Sequence, residues 1–221
     1  MECHLYAVET LIPILIIGGG MSRDILPLTK FFPKALLEVN KDLTILDYQM
    51  SMFKKNNFSN IYMIIGYRGK DVKKHCEKKN YNMQFFVDKT FNVFYSQTRA
   101  MYEVKKEIST ILTPFISIFS DVLFNQKTLN SLLGCNADIC YIRGHKSMIK
   151  WSKKGIETYF KLLEGNNKLL YNDGIDLAFA EMRTNKNLTT KNLMGDWMVD
   201  IDNIDDYNTI KTKNLRKLLS Y

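Results

Sequence analysis

Three groups of residues have the types and spacing to do chemistry on a phosphate. The first is Gly18-Gly19-Gly20-Met21-Ser22-Arg23, which follows the apolar run Pro13-Ile14-Leu15-Ile16-Ile17. Consecutive glycines let backbone N–H groups turn inward around phosphate oxygens, and Arg23 adds a fork of donors. The same glycines equally suit a tight turn that needs positive φ. The pattern is neither GxGxxG nor a GK[ST] loop. The second group is Lys34 behind Pro33, a cation that can return to the same place; a lone lysine is as often simple surface. The third is acidic. Ser120-Asp121 closes an apolar run, and Asp200 and Asp202 stand two apart, so on a strand their side chains share a face. The competing reading makes Asp121 a strand-end turn residue. It makes Asp202, Asp205 and Asp206 helix N-terminal acids, where carboxylates are stabilising in any case.

The elements that must position these groups follow from the hydrophobic pattern. Residues 13–17, 61–65, 83–87 and 114–119 read as buried strands. Segments 44–56, 71–79, 95–108 and 128–133 read as the intervening helices. Strand and helix alternate over the first 135 residues, which predicts a parallel sheet covered on both faces. In such sheets ligands bind beyond the carboxyl ends of the strands. The glycine loop and Asp121 both fall there. The last third is less regular: strands at 139–143, 147–151 and 197–201, and helices at 154–164, 174–183 and 204–219, the last capped by Asn203. No repeat, linker or low-complexity stretch interrupts the chain, so one domain is expected over residues 11–221 after a 1–10 extension.

Composition narrows the function. The chain has 221 residues and a formal net charge of +8. That charge calls for an anionic partner, and nucleic acid is the first thought. It comes from 25 lysines against six arginines. No arginine–aromatic interleaving or nucleic-acid motif accompanies it, so most lysines read as a solvated surface. The apolar run at 11–17 is far short of the ~20 residues that span a bilayer. Acidic flanks disqualify it as a signal sequence. A cytoplasmic protein without a membrane partner is expected. Cysteines 3, 76, 135 and 140 lack CxxC spacing, and histidines 4, 75 and 145 do not cluster, which argues against a disulfide framework or structural zinc.

Taken together, IleIleGlyGlyGlyMetSerArg at 16–23, LeuProLeuThr at 26–29, ProLysAlaLeuLeuGluVal at 33–39 and IleTyrMetIleIleGlyTyr at 61–67 resemble the signature of the nucleotidyltransferase superfamily. TrpSerLysLysGlyIleGluThrTyrPhe at 151–160, TyrAsnAspGlyIle at 171–175 and GlyAspTrpMetValAspIleAspAsnIleAspAspTyr at 195–207 resemble its phosphocholine and phosphonate cytidylyltransferase branch. The resemblance implies an α/β, Rossmann-like three-layer sandwich with a mostly parallel mixed central sheet. It implies Mg²⁺-dependent transfer of a cytidylyl group from CTP to a small phosphorylated or phosphonate acceptor. Sugar-1-phosphate transfer, for which CTP need not be the donor, and a catalytically inactive binding module are the alternatives. The resemblance also implies that residues 11–135 form the nucleotide-binding part of the domain and 136–221 its acceptor-binding and metal-completing part. Carried over residue by residue, it assigns nucleotide binding to Ile17, Gly18, Gly19, Gly20, Met21, Ser22, Arg23, Lys34 and Asp121, with Arg23 and Lys34 stabilising the transferred charge. It assigns Mg²⁺ to Asp121, Asp200 and Asp202, and the acceptor to Arg99, Tyr171 and Asp173. A homodimer is left open. Two departures stand out. Met21 replaces a small residue, and the segment around 141–147 is short, with no evident second phosphate-binding lysine of the kind sugar-type members carry there.

Overall fold

The structure is a computed structural model that describes residues 11–26, 28–91, 96–164, 166, 169–170 and 174–212, the side chains of Arg23 and His145 excepted. The strands in chain order are β1 (Ile14–Gly18), β2 (Glu38–Asn40), β3 (Leu43–Thr44), β4 (Ile61–Ile65), β5 (Gln84–Val87), β6 (Phe115–Phe119), β7 (Val122–Phe124), β8 (Ile139–Ile142), β9 (His145–Trp151), β10 (Thr190–Leu193) and β11 (Met198–Asp200). The helices are α1 (Leu28–Phe31), α2 (Ile45–Lys55), α3 (Gly69–Lys79), α4 (Gln97–Glu103), α5 (Lys105–Ile108), α6 (Gln126–Leu133), α7 (Lys153–Glu164), α8 (Gly174–Thr184) and α9 (Ile204–Lys211).

Seven strands make one sheet in the order β10-β8-β9-β6-β1-β4-β5. The block β6-β1-β4-β5 is parallel throughout, as the alternation predicts. β9 runs antiparallel to both β6 and β8, so the sheet is mixed. Successive residues of a strand face opposite sides, and β1 shows the consequence. Ile14 and Ile16 pack into one core with α2 and α6, while Leu15 and Ile17 pack into another with α4, α7 and α8. The result is the expected three-layer sandwich. On the second face Trp151 is wholly buried, with its indole N–H donating to Ser117 Oγ at 2.8 Å.

Local chemistry sets the helix starts. Thr44 and Asp47 form a reciprocal capping box on α2, and Asn125 caps α6 through the Thr128 N–H. The single helix expected over 95–108 is broken at Val104 into α4 and α5. The strand at 197–201 shortens to 198–200, and β2, β3, β7 and β10, all short, add to those expected. The end of the 204–219 helix lies outside the described residues beyond 212. One disulfide that the spacing did not suggest joins Cys135 to Cys140. The turn between α6 and β8 returns the chain on itself, leaving the two Cα atoms 6.4 Å apart, within disulfide reach. No helix among the described residues is long and apolar enough to cross a membrane.

Candidate active site

The carboxyl ends of β1, β5 and β6 open onto a cavity of about 320 Å³. Ile17, Gly18, Gly19, Gly20, Met21, Ser22, Lys34 and Asp121 all line it. A second cavity, of about 640 Å³, adjoins the first across Gln97, Phe119, Asp121 and Asp202, which line both.

Of the three loop glycines Gly18 is crowded, whereas a Cβ on Gly20 would meet nothing within 4 Å. None of Gly18, Gly19 and Gly20 has φ in the left-handed region; Ser22 does, at 53°. A Cβ on Gly18 would stand 2.7 Å from the end of the Met63 side chain and 3.1 Å from Ser120 Cβ, so a larger residue there would displace Met63 and crowd Ser120. The loop is tied down by the Tyr67 N–H donating to Gly19 O and by the Thr29 hydroxyl donating to Ser22 O, both at 2.8 Å. Arg23 opens a single helical turn, Arg23–Ile25; its side chain lies outside what is described.

Lys34 is placed by its neighbour. Pro33 is held extended, at φ −64° and ψ 147°, and begins a tight 3₁₀ turn over Lys34–Leu36. This puts the ammonium almost wholly inside, 2.7 Å from Asp121 Oδ2 and 3.8 Å from Asp202 Oδ1. Burial pulls the Lys34 pKa down, but the Asp121, Asp202 and Asp200 carboxylates more than offset it and the net shift is upward.

The three aspartates converge through a ribbon that joins distant parts of the chain. β7 pairs antiparallel with β11, setting Asp200 opposite Val122, and the Ile201 N–H donates to Asp121 O at 3.1 Å. The turn before β11 is fixed by Thr128, whose hydroxyl oxygen accepts from the Asp196 and Trp197 N–H groups. One carboxylate oxygen from each of Asp121, Asp200 and Asp202 lies within 4.8 Å of the others. The helix-capping reading separates cleanly among the acids. Asn203 caps α9, and Asp206 completes that box by accepting from the Asn203 and Asp202 N–H groups. Asp202 itself is left out of the cap and faces Lys34.

The triad carries more negative charge than one lysine balances. Burial, reinforced by Asp121 and Asp202, pushes Asp200 up to about 8, and burial likewise raises Asp202. Asp121 Oδ1 and Asp200 Oδ1 are buried and have no hydrogen-bond partner. Three converging carboxylates, with the buried Asp121 Oδ1 left unpaired among them, fit a hard divalent cation such as Mg²⁺, which binds oxygen ligands.

The acceptor residues fare differently. Tyr171 and Asp173 lie outside the described residues. Arg99 is turned along α4 toward Glu103, 3.3 Å away, and lines neither cavity; its neighbours Gln97, Thr98 and Ala100 take the wall instead, because successive helical side chains diverge. The larger cavity is lined by groups the sequence did not single out, among them Lys146 of β9 and Asp176 of α8, which form an ion pair, and Ser147. The signal for Lys146 was the strand itself: it sits at the mouth of β9, level with the end of β6. Asp88 was also missed. It follows β5, lines the smaller cavity and is 3% exposed. Its Oδ1 accepts from the Thr90 N–H and hydroxyl, both at 2.7 Å, while Oδ2 lies toward Gly19.

No protein-family model matches the sequence. The choline-phosphate cytidylyltransferase of Streptococcus pneumoniae is 27% identical over 131 residues, which are 57% of this chain and 54% of that one; the chain thus spans about half the length of the curated relative it matches. Among solved structures, a CTP:phosphocholine cytidylyltransferase from S. pneumoniae superposes with a TM-score of 0.67 at 16% identity, covering 90% of this chain and 97% of the other. The inositol-1-phosphate CTP transferase of T. maritima does so at 0.69 and 13% identity, covering 96% of both. The chain thus has the fold of these transferases, and over 57% of its length its sequence is similar to a choline-phosphate cytidylyltransferase.

Proposed function

We propose that the protein transfers a cytidylyl group from CTP to a small phosphorylated or phosphonate acceptor of the phosphocholine type, with Mg²⁺, releasing pyrophosphate. The observation that carries this reading is the position of Asp121 and Asp202 at the boundary of two cavities, with Lys34 paired to both on the side of the smaller cavity, which the glycine loop also lines. The smaller cavity takes the nucleotide and the larger the acceptor. An acceptor phosphate oxygen forms a bond to the α-phosphorus of CTP, and the bond from that phosphorus to the bridging oxygen breaks. The attacking oxygen is already ionised, so no general base is needed. Repulsion between the two anions dominates the barrier. Lys34 places a protonated ammonium where charge develops on the leaving pyrophosphate. Asp121, Asp200 and Asp202 would hold the Mg²⁺, which supplies Lewis-acid polarisation of phosphoryl oxygens. The Gly18–Gly20 backbone fixes the triphosphate.

Asp88 supports the choice of base. It follows β5, three strands from β6, whose end presents Asp121, and lines the same cavity. A carboxylate there accepts from an exocyclic amino group, which cytosine carries and uracil lacks.

A sugar- or inositol-1-phosphate acceptor is the second reading, favoured by the size of the larger cavity and by the likeness to the T. maritima enzyme. A thermal-shift panel of CTP, UTP, ATP and GTP with Mg²⁺ tests the donor. CTP is expected to stabilise most; equal stabilisation by all four would remove the cytidylyl assignment.

A further inference from the structure

Ser147 has no place in the account so far, and its surroundings give it one. It is 2% exposed, and its hydroxyl, a buried donor, has no hydrogen-bond partner. Such a group is costly when left unmet, and each one in a folded protein calls for a reason. β9 is antiparallel to β6 with Met148 opposite Ile118, so Ser147 lies one step further along, level with the turn that presents Asp121. It lines the larger cavity together with Asp200 and Asp202. Asp200 offers the complementary deficit, a buried carboxylate oxygen, Oδ1, with no donor. The lysines lining the two cavities are committed elsewhere, Lys34 to Asp121 and Lys146 to Asp176.

We propose that Ser147 is the positioning residue of Asp200: its hydroxyl donates to the Asp200 carboxylate and so aims that group's other oxygen at the cation held with Asp121 and Asp202. The inference rests on the metal reading of the triad given above. Carboxylates that ligate metals are themselves usually held by hydrogen bonds, and losing the outer partner weakens metal binding by about 10–100-fold.

The test is Mn²⁺ binding by calorimetry, alone and with CTP, on wild type, Ser147→Ala and Ser147→Thr, alongside thermal unfolding of each in EDTA. Ser147→Ala is expected to raise the Mn²⁺ Kd by roughly 10–100-fold and to leave the metal-free Tm unchanged or higher, because a buried unpaired hydroxyl has been removed. Ser147→Thr, which keeps the hydroxyl, is expected to bind within a few-fold of wild type. Unchanged Mn²⁺ affinity in Ser147→Ala overturns the proposal. So does a parallel fall of Tm and affinity that Ser147→Thr does not rescue, since that marks a packing residue. Wild type that binds no Mn²⁺ with or without CTP removes the metal reading itself, and this proposal with it.

Discussion

The centre of the site is a contest for Asp121. One of its oxygens holds the Lys34 ammonium at 2.7 Å, and the other is buried and unpaired. A single carboxylate can thus serve the lysine proposed to bind phosphate on one side and a cation on the other. The types of these residues were legible in the sequence, because Lys34 behind a proline and acids at strand ends are local patterns. Their distances were not, since Lys34 and Asp121 are 87 positions apart. Asp88 and Ser147 left no such trace, being ordinary residues given meaning by cavity walls. Asp88 yields a sharp prediction. Its Oδ1 is fixed by two donors from Thr90, so in Asp88→Asn the amide oxygen keeps those bonds and the NH₂ takes the position of Oδ2. Acceptor becomes donor at one atom. A site built for one polarity rejects the other strongly, and the preference for CTP over UTP, measured as the ratio of their Kd values, is expected to fall by about tenfold or more, some 1.4 kcal/mol. A ratio unchanged in the folded variant would remove Asp88 from base selection.

At the scale of elements, the ribbon of β7 and β11 does what no sequence period announced. Three residues is too short a strand to read from alternation, yet the pairing of Asp200 with Val122 assembles the triad. The helix caps were more readable: Asn203 stands where a cap should, and the structure shows Asp206, not Asp202, completing it. The α2 start has its own electrostatics. Burial alone would raise Asp47, but the His75 ring nitrogen, the Thr44 N–H and the Tyr81 hydroxyl more than offset it and hold its carboxyl well below the ordinary 3.8. A carboxyl depressed in the folded state adds stability that is present above its unfolded pKa and is lost as pH falls through the folded one. Asp47→Asn is therefore expected to cost about 1–3 kcal/mol at pH 7. The gap to wild type should shrink steadily below about pH 4 in urea titrations. A gap that stays constant from pH 7 to pH 3 would show that packing, not charge, is what Asp47 supplies.

For the whole molecule, strand–helix alternation gave the parallel half of the sheet and the site at its carboxyl edge. The antiparallel insertion of β9 between β6 and β8 was hidden, because register and direction are long-range properties. That insertion buries Trp151 among Tyr141, Tyr159 and Phe179 on one face. Trp151→Ala should cost about 3–5 kcal/mol in urea unfolding; a loss under 1 kcal/mol would mean the second core is looser than it looks. The net charge of +8 also reads differently with the site in place. Part of it, Lys34 and Lys146, lines the two cavities, and the triad beside them is acidic. The central claim is that these cavities join a cytidine nucleotide to a phosphorylated acceptor. Pyrophosphate release from CTP and phosphocholine with Mg²⁺ tests it most directly, with inositol-1-phosphate and 2-aminoethylphosphonate as parallel acceptors. The account predicts turnover with CTP in wild type and a loss to background in Asp121→Ala. A folded wild-type protein that releases no pyrophosphate from any nucleotide with any of these acceptors would contradict it.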